Sequence, residues 1–422
     1  MADPVEASER YPARRRRLSV VHALIGVVLG LALAVGVLRL ASRSKGPPLP
    51  APSVKLAGGV LREDSGSLDE ILVHYVPRLE PLVADAYADF LGTLDPSTHV
   101  VAVVPEPEGD GRAAGPTPRE QLVRMLARID PTGGLAARTR IVEATGPISV
   151  WSKDRALVLA PEADSPRAGL VIPVPPDPKW KERANDWRTL ARVAEAMPDR
   201  FYVRELPLAF DAGDFDVAAD TVLVDDNLVT KNRSRGVGNV EELRKLVGGL
   251  LGRPVQVLGS VDGDVPRHHL SMYMAALEGG VALVGDPRAA RSVVGDPYAP
   301  GEVDPDTGDP LHADFSDAMV ARFDRAAADL TAAGWRVVRI PEVPFLDKTY
   351  MAYTNGVYET RGGVRTAWMP TFDLPELDAR ARAVYESLGW QVRPVRARGL
   401  YPFHGTIGCL VNVLSRGAPR SP

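Results

Sequence analysis

From about residue 69 to the C-terminus, short β-branched or apolar runs alternate with longer stretches that keep helical spacing. Runs of that length read as strands, and the helix-length stretches between them make the class α/β or α+β. Strands are predicted at Arg155–Leu159, Leu170–Val174, Phe201–Arg204, Thr221–Val224, Val255–Leu258, Val281–Val284, Trp335–Ile340 and Gln391–Val395. Others are predicted at Ile148–Trp151, Leu270–Ala275 and Leu410–Leu414. Helices are predicted at Lys179–Ala196, Val240–Leu251, Ala313–Ala333 and Leu374–Leu388. Ile71, Leu72, Tyr75, Leu79, Leu82, Val83 and Tyr87 predict one more helix over 70–93, split or kinked by Pro77 and Pro81. Glycine and proline number 38 each, which fits a turn-rich chain and not a helical bundle.

The N-terminus reads as a separate object. Arg14 to Arg17 precede Leu18–Leu38, 21 residues without a formal charge, long enough to cross a hydrocarbon core as a helix. The denser basic block lies in front, so the positive-inside rule keeps 1–17 cytoplasmic and sends the remainder outward. The expected layout is a basic tail at 1–17, a membrane anchor at 18–41 and a Pro/Gly-rich linker at 42–68. A globular body at 69–416 and a tail at 417–422 follow. Ala32-Leu33-Ala34 offers the alternative of a cleaved signal, which would leave the body secreted or periplasmic.

Composition excludes several classes. A net charge of −4 gives no bulk attraction to nucleic acid. One cysteine, Cys409, excludes an intramolecular disulfide and a cysteine-based zinc site. No Walker-type loop, no G-x-G-x-x-G opening a helix and no H-E-x-x-H occurs, so neither cofactor nor metal is expected. Glu302 to Asp309 resembles a fragment of a calcium loop but lacks its terminal glutamate, and reads as a solvated acidic turn.

Four short segments carry residues suited to chemistry. They are Trp151-Ser-Lys-Asp154, Phe210-Asp211-Ala-Gly-Asp214-Phe215, His268-His269-Leu-Ser271 and Gly405-Thr-Ile-Gly408-Cys409. Each alone is ordinary: a turn aspartate, a core histidine, a buried thiol. Their order is not. The set resembles the pentein superfamily of guanidino-modifying enzymes, which includes arginine and agmatine deiminases, dimethylarginine dimethylaminohydrolase and the amidinotransferases. That family runs W-x-R-D, then an acidic turn such as F-D-A-A-D-F, then H-x-D, then a glycine-rich turn ending in cysteine. Tyr353-Thr-Asn-Gly-Val-Tyr-Glu359 and Cys409-Leu-Val-Asn-Val-Leu-Ser-Arg416 also resemble family elements, and the likeness spans roughly residues 100–416.

The resemblance implies a fold of five ββαβ-type units around a pseudo-fivefold axis. It also implies a small guanidino substrate. A guanidinium carbon is resonance-stabilised and calls for a soft nucleophile, which Cys409 supplies as a thiolate. His269 would protonate the departing amine and then deprotonate the incoming nucleophile. Asp211 would orient His269 and accept hydrogen bonds from the guanidinium. Asp154 would pair with its planar fork, with Asp214 and Ser271 completing the substrate contacts. Water would resolve the covalent amidino-cysteine as in a deiminase, an amine as in an amidinotransferase; these motifs do not separate the two. Departures stand at Ser271, where the family has a carboxylate, at Lys153 for its arginine, and at Gly408, where many deiminases have histidine. Ser271 also supports an alternative, a non-catalytic protein of the same fold that binds a ligand or partner outside the membrane.

Overall fold

A computed structural model of the chain describes residues 59–107, 115–161, 165–173, 183, 185–218, 220–346 and 348–417. The expected basic tail and anchor, residues 42–58 of the linker and the last five residues lie outside these. Among the described residues no helix is long and apolar enough to cross a membrane.

Five sheets follow one another along the chain. The first holds β1 (Leu68–His74), β2 (His99–Pro105) and β3 (Thr139–Ala144), with α1 (Glu80–Leu91) and α2 (Pro118–Ile129) as the crossovers. The second holds β4 (Leu157–Leu159), β5 (Ala168–Pro173) and β6 (Phe201–Leu206), with α3 (Asp186–Ala196) before β6. The third holds β7 (Asp216–Ala218), β8 (Thr221–Asp225) and β9 (Val255–Leu258), with α4 (Val240–Leu251) before β9. The fourth holds β10 (Met274–Leu277), β11 (Val281–Asp286), β12 (Arg336–Phe345) and β13 (Thr349–Ala352), with α5 (Asp317–Ala332) before β12. The fifth holds β14 (Val357–Arg361), β15 (Val364–Thr371) and β16 (Gln391–Arg396), with α6 (Pro375–Ser387) before β16. The last strand, β17 (Val411–Arg416), returns to pair with β1.

Every sheet repeats one pattern. An antiparallel pair is followed by a parallel one, as β4–β5 and then β5–β6. Antiparallel neighbours need only a short turn, whereas parallel neighbours need a crossover, and each parallel pair here spans a helix. The first sheet obtains its antiparallel pair from β17, with Leu72 opposite Asn412 and Val73 opposite Val411. The final strand therefore closes the unit that the first strand opens.

The helix expected over 70–93 is corrected. Ile71, Leu72 and Val73 are consecutive and fully buried, an apolar run covered on both faces, and they form β1 between β17 and β2. The helix starts only at Glu80, with Pro81 in its first turn, where a missing N–H costs nothing. The strand expected at Ile148–Trp151 is irregular instead. The Ser149 N–H and hydroxyl are both committed to the Asp186 carboxylate, each at 2.6 Å, so they serve no ladder. Residues 270–272 form a single tight turn, and the strand begins at Met274. The helix placed at 179–196 is seen from Asp186 onward. The long helix begins at Asp317, capped by Ser316 Oγ on the Met319 N–H at 3.2 Å.

Two buried carboxyls tie the third sheet to the fourth. Asp216 on β7 accepts the Ala276 N–H at 2.7 Å, and burial, then the charge of Glu63, pushes its pKa up to about 8. Asp225 on β8 accepts the Tyr273 hydroxyl at 2.8 Å, and burial, then Asp214, pushes it up to about 7. Both pKa values stand above the unfolded carboxylate value, so the folded state holds the extra proton. Their contribution is full below about pH 4 and is lost as pH rises through 7 to 8. The expected result is a melting temperature that falls between about pH 4 and 8 and levels off above that, costing up to ~1.4 kcal/mol per pH unit per carboxyl. Asp216→Asn keeps an acceptor for Ala276 and should flatten that slope. Calorimetry across the pH range checks it, and an equal slope in the variant refutes the assignment.

Candidate active site

Each of the four sequence segments lies in a tight turn just before an edge strand of a sheet. Lys153–Arg155 precedes β4, Ala212–Asp214 precedes β7, Leu270–Met272 precedes β10 and Ile407–Leu410 precedes β17. These turns pack on one another: the first touches the second and the fourth, and the second touches the third. The strands hold the turns, and the turns hold the polar side chains.

His269 sits at the centre and is 4% exposed. Its Nδ1 lies 3.6 Å from Asp154 Oδ1 and its Nε2 lies 3.5 Å from Asp211 Oδ2. Cys409, itself 3% exposed, also faces the ring. Burial opposes the charged ring. The charge of Asp154, the bonds to Asp211 and Cys409 and the charge of Asp211 outweigh it and hold His269 well above the ordinary imidazole range. The ring is therefore a cation. Gly213 makes room for it, since a Cβ there would lie 2.7 Å from His269 Nδ1.

The carboxylates around the ring have cationic partners of their own. Asp154 Oδ2 accepts from Arg183 at 2.5 Å, with Arg155 at 3.6 Å. Burial nonetheless sets Asp154 above the usual carboxylate range. Asp211 meets Lys231 at 3.0 Å and Arg155 at 3.4 Å. Burial opposes its charge, but Lys231 and His269 hold Asp211 well below the usual range. Asp214 takes Lys231 at 2.7 Å on both oxygens, and its Oδ2 also accepts the Asp211 N–H at 2.9 Å. Asp211 and Asp214 thus close their own turn as a reciprocal capping box. Ligand atoms of Asp154, Asp211 and His269 lie within 4.8 Å of one another, a span that could hold a metal ion. Arg183, Arg155 and Lys231 already answer the negative charge there, which disfavours a further cation.

Asn355 completes the site and was not singled out from the sequence. Its Nδ2 donates to the Cys409 sulfur at 3.2 Å and lies 3.2 Å from Ser271 Oγ. The Thr406 hydroxyl lies 2.7 Å from the Asn355 carbonyl and 2.9 Å from its Oδ1, which holds the residue in place. Asn355 lies in the turn just before β14, the fifth sheet's counterpart of the other four turns. That repeated position was the signal that would have found it. Ser271, where the family pattern has a carboxylate, lies beside this amide. Arg155, Arg183 and Lys231 were also not singled out.

The structure thus gathers Asp154, Asp211, Asp214, His269, Ser271 and Cys409 in one place. No protein-family model and no curated protein matches the sequence. Solved structures do match. An agmatine deiminase from C. jejuni superposes with a TM-score of 0.56 at 11% identity, covering 85% of this chain and 97% of that one. A cysteine-to-serine variant of the C. jejuni enzyme with substrate bound gives 0.58 at 12%, covering 85% and 98%. The agmatine deiminase of Enterococcus faecalis gives 0.55 at 12%, covering 86% and 100%.

Gly408 generates a prediction. A Cβ there would lie 2.3 Å from Asn355 Oδ1, so histidine has no room at this position. Gly408→Ala should displace Asn355 from Thr406 and cost about 1–3 kcal/mol. Denaturant unfolding measures it, and wild-type stability would contradict the packing described. With its five sheets, its repeated strand order and this end-to-end superposition, the chain has the pentein-type α/β fold of the agmatine deiminases.

Proposed function

We propose that the chain is a thiol-dependent hydrolase of a guanidino compound, working through a covalent amidino intermediate on Cys409. One observation carries this: the only thiol is buried beside an imidazole that two carboxylates flank, with the Asn355 amide 3.2 Å from its sulfur. The likeness in fold to agmatine deiminases supports it.

The reaction follows from the geometry. Cys409 reacts as its thiolate, with the Asn355 amide 3.2 Å from the sulfur and His269 beside it. The thiolate adds to the guanidino carbon, forming a C–S bond. The C–N bond to the departing amine breaks as His269 gives that nitrogen a proton. Water then adds to the amidino carbon and His269 takes its proton back. The C–S bond breaks, returning the thiolate and releasing a ureido product. Asp211 keeps His269 charged and oriented throughout, and Asp154 offers the carboxylate edge for the guanidinium fork. Asp214 acts on the substrate only through Asp211 and Lys231. An amine in place of water would make the same intermediate an amidino donor. The five repeats read as blades around a pseudo-fivefold axis. Residues 18–41 read as an anchor that places the body outside the membrane.

A second reading, ligand binding without turnover, draws on Ser271 and on Arg183 already occupying Asp154. The assay is the purified protein with agmatine, arginine and other guanidino compounds, with and without glycine as acceptor. Ureido product and ammonia in equal amounts are expected, abolished by Cys409→Ser and lowered at least ~100-fold by His269→Ala. Asn355→Ala should slow alkylation of Cys409 by 2-chloroacetamidine about tenfold. No turnover, together with alkylation no faster than a free thiol, would leave the binding reading.

A further inference from the structure

His268 has no part in the reaction just described, yet it lies against the face of its central ring. Its imidazole stacks on that of His269, with centroids 4.0 Å apart and planes 16° from parallel. Its backbone φ is +83°, a left-handed conformation that a residue with a Cβ adopts only when its surroundings hold it there. Its Nε2 lies 2.9 Å from the His404 carbonyl. A carbonyl only accepts, so that nitrogen carries a proton and donates it.

His404 belongs to the nucleophile's own segment. It closes the turn Tyr401–Phe403 at φ +65° and leads directly into Gly405-Thr-Ile-Gly-Cys409. Its ring is held by Thr349 Oγ1 at 2.8 Å and by Asp306 Oδ2 at 3.3 Å. A continuous set of contacts therefore runs from the segment that carries the sulfur, through the His404 carbonyl and the His268 ring, to the face of His269.

We propose that His268 is a positioning residue that fixes the plane of the His269 imidazole against Cys409, stacking on one and anchored to the other's segment. This rests on the reading of His269 as the acid and base. The groups facing His269 are Asp154, Asp211, Asp214, Cys409 and the His268 ring; those facing His268 are His269, Lys231 and His404. Burial, then the positive charges of His269 and Lys231, hold His268 well below the ordinary imidazole range. It is a neutral ring with its proton on Nε2. A neutral aromatic face attracts the cation beside it and excludes water from it, which preserves the hold of the two carboxylates.

The test uses the full chain with His268→Asn, which tolerates a positive φ but removes the ring, and His268→Phe, which restores a ring without the N–H. Circular dichroism confirms folding. NMR titration of the His269 imidazole and the pH dependence of Cys409 alkylation by 2-chloroacetamidine are the readouts. With Asn, the His269 midpoint should fall by about one pH unit toward the ordinary range, and alkylation should slow about tenfold. Phe should recover part of the midpoint and little of the rate. Should Asn fail to fold, His268→Gln gives the same comparison. A folded Asn or Gln variant with the wild-type midpoint and alkylation profile overturns the proposal. His269→Ala in the same assay separates the two readings. Unchanged alkylation in that variant defeats the acid–base assignment itself. A His269 effect beside an inert His268 defeats only the positioning role.

Discussion

A charged imidazole buried between two carboxylates is the interaction on which the rest depends. Leaving one member of such a group unpaired costs several kcal/mol, of order 3–5. The protein avoids that by burying the charges as a balanced set. Asp154, Asp186, Asp211 and Asp214 face Arg155, Arg183, Lys231 and His269. No carboxylate in the set lacks a cation within ion-pair distance. Because the members come from separate turns, a displacement of about an ångström in any one strand would unpair several groups at once. Strand register and the geometry of this cluster are therefore one problem, solved together.

The repeat explains how distant segments meet. Each sheet starts with a strand whose entry turn points a polar residue at the same place: Asp154 before β4, Asp214 before β7, the 269–272 turn before β10, Asn355 before β14 and Cys409 before β17. β17 pairs with β1, so the Cys409 turn is fastened to the first strand of the body. Ser152 extends the fastening, its hydroxyl lying 3.0 Å from the Leu72 carbonyl and 2.7 Å from that of Leu410. Asn412 extends it further, donating to the Ala156 carbonyl at 3.1 Å. Chemistry contributed once by each repeat needs no long loops, only turns of fixed length.

The sequence was informative wherever a local rule sufficed. The apolar runs at 221–224 and 281–284 are strands because burial on both faces selects such residues, and the half-buried runs at 201–204 and 255–258 are strands as well. Asp154, Asp211, His269 and Cys409 were legible because their order matched a family, although their mutual distances were not. Helical spacing misled at 70–74, where Ile71, Leu72 and Tyr75 fit a helix face but the tertiary context demanded a central strand. Arg155, Arg183 and Lys231 were illegible because nothing local distinguishes a polar residue that meets a partner elsewhere, and Asn355 lay in a segment, Tyr353–Glu359, whose likeness to a family element gave it no role. Asn355 becomes visible only once the five entry turns are set in register.

The same register gives Ser271 a physical reading. A carboxylate at 271 would stand beside Asn355 and close to the sulfur, attracting a guanidinium while repelling a thiolate. Serine gives up that attraction, about 1.5–3 kcal/mol for a charge-assisted hydrogen bond. Its hydroxyl leaves the Asn355 amide free to donate to sulfur, at 3.2 Å in each case. Asp154 is then the remaining carboxylate edge for a guanidinium in the proposed reaction, and Arg183 already lies 2.5 Å from it. Binding on that edge is an exchange of one guanidinium for another, nearly neutral in charge. Its free energy must then come from the contacts of the rest of the substrate, so selectivity in this site falls on the part of the ligand away from the reacting carbon.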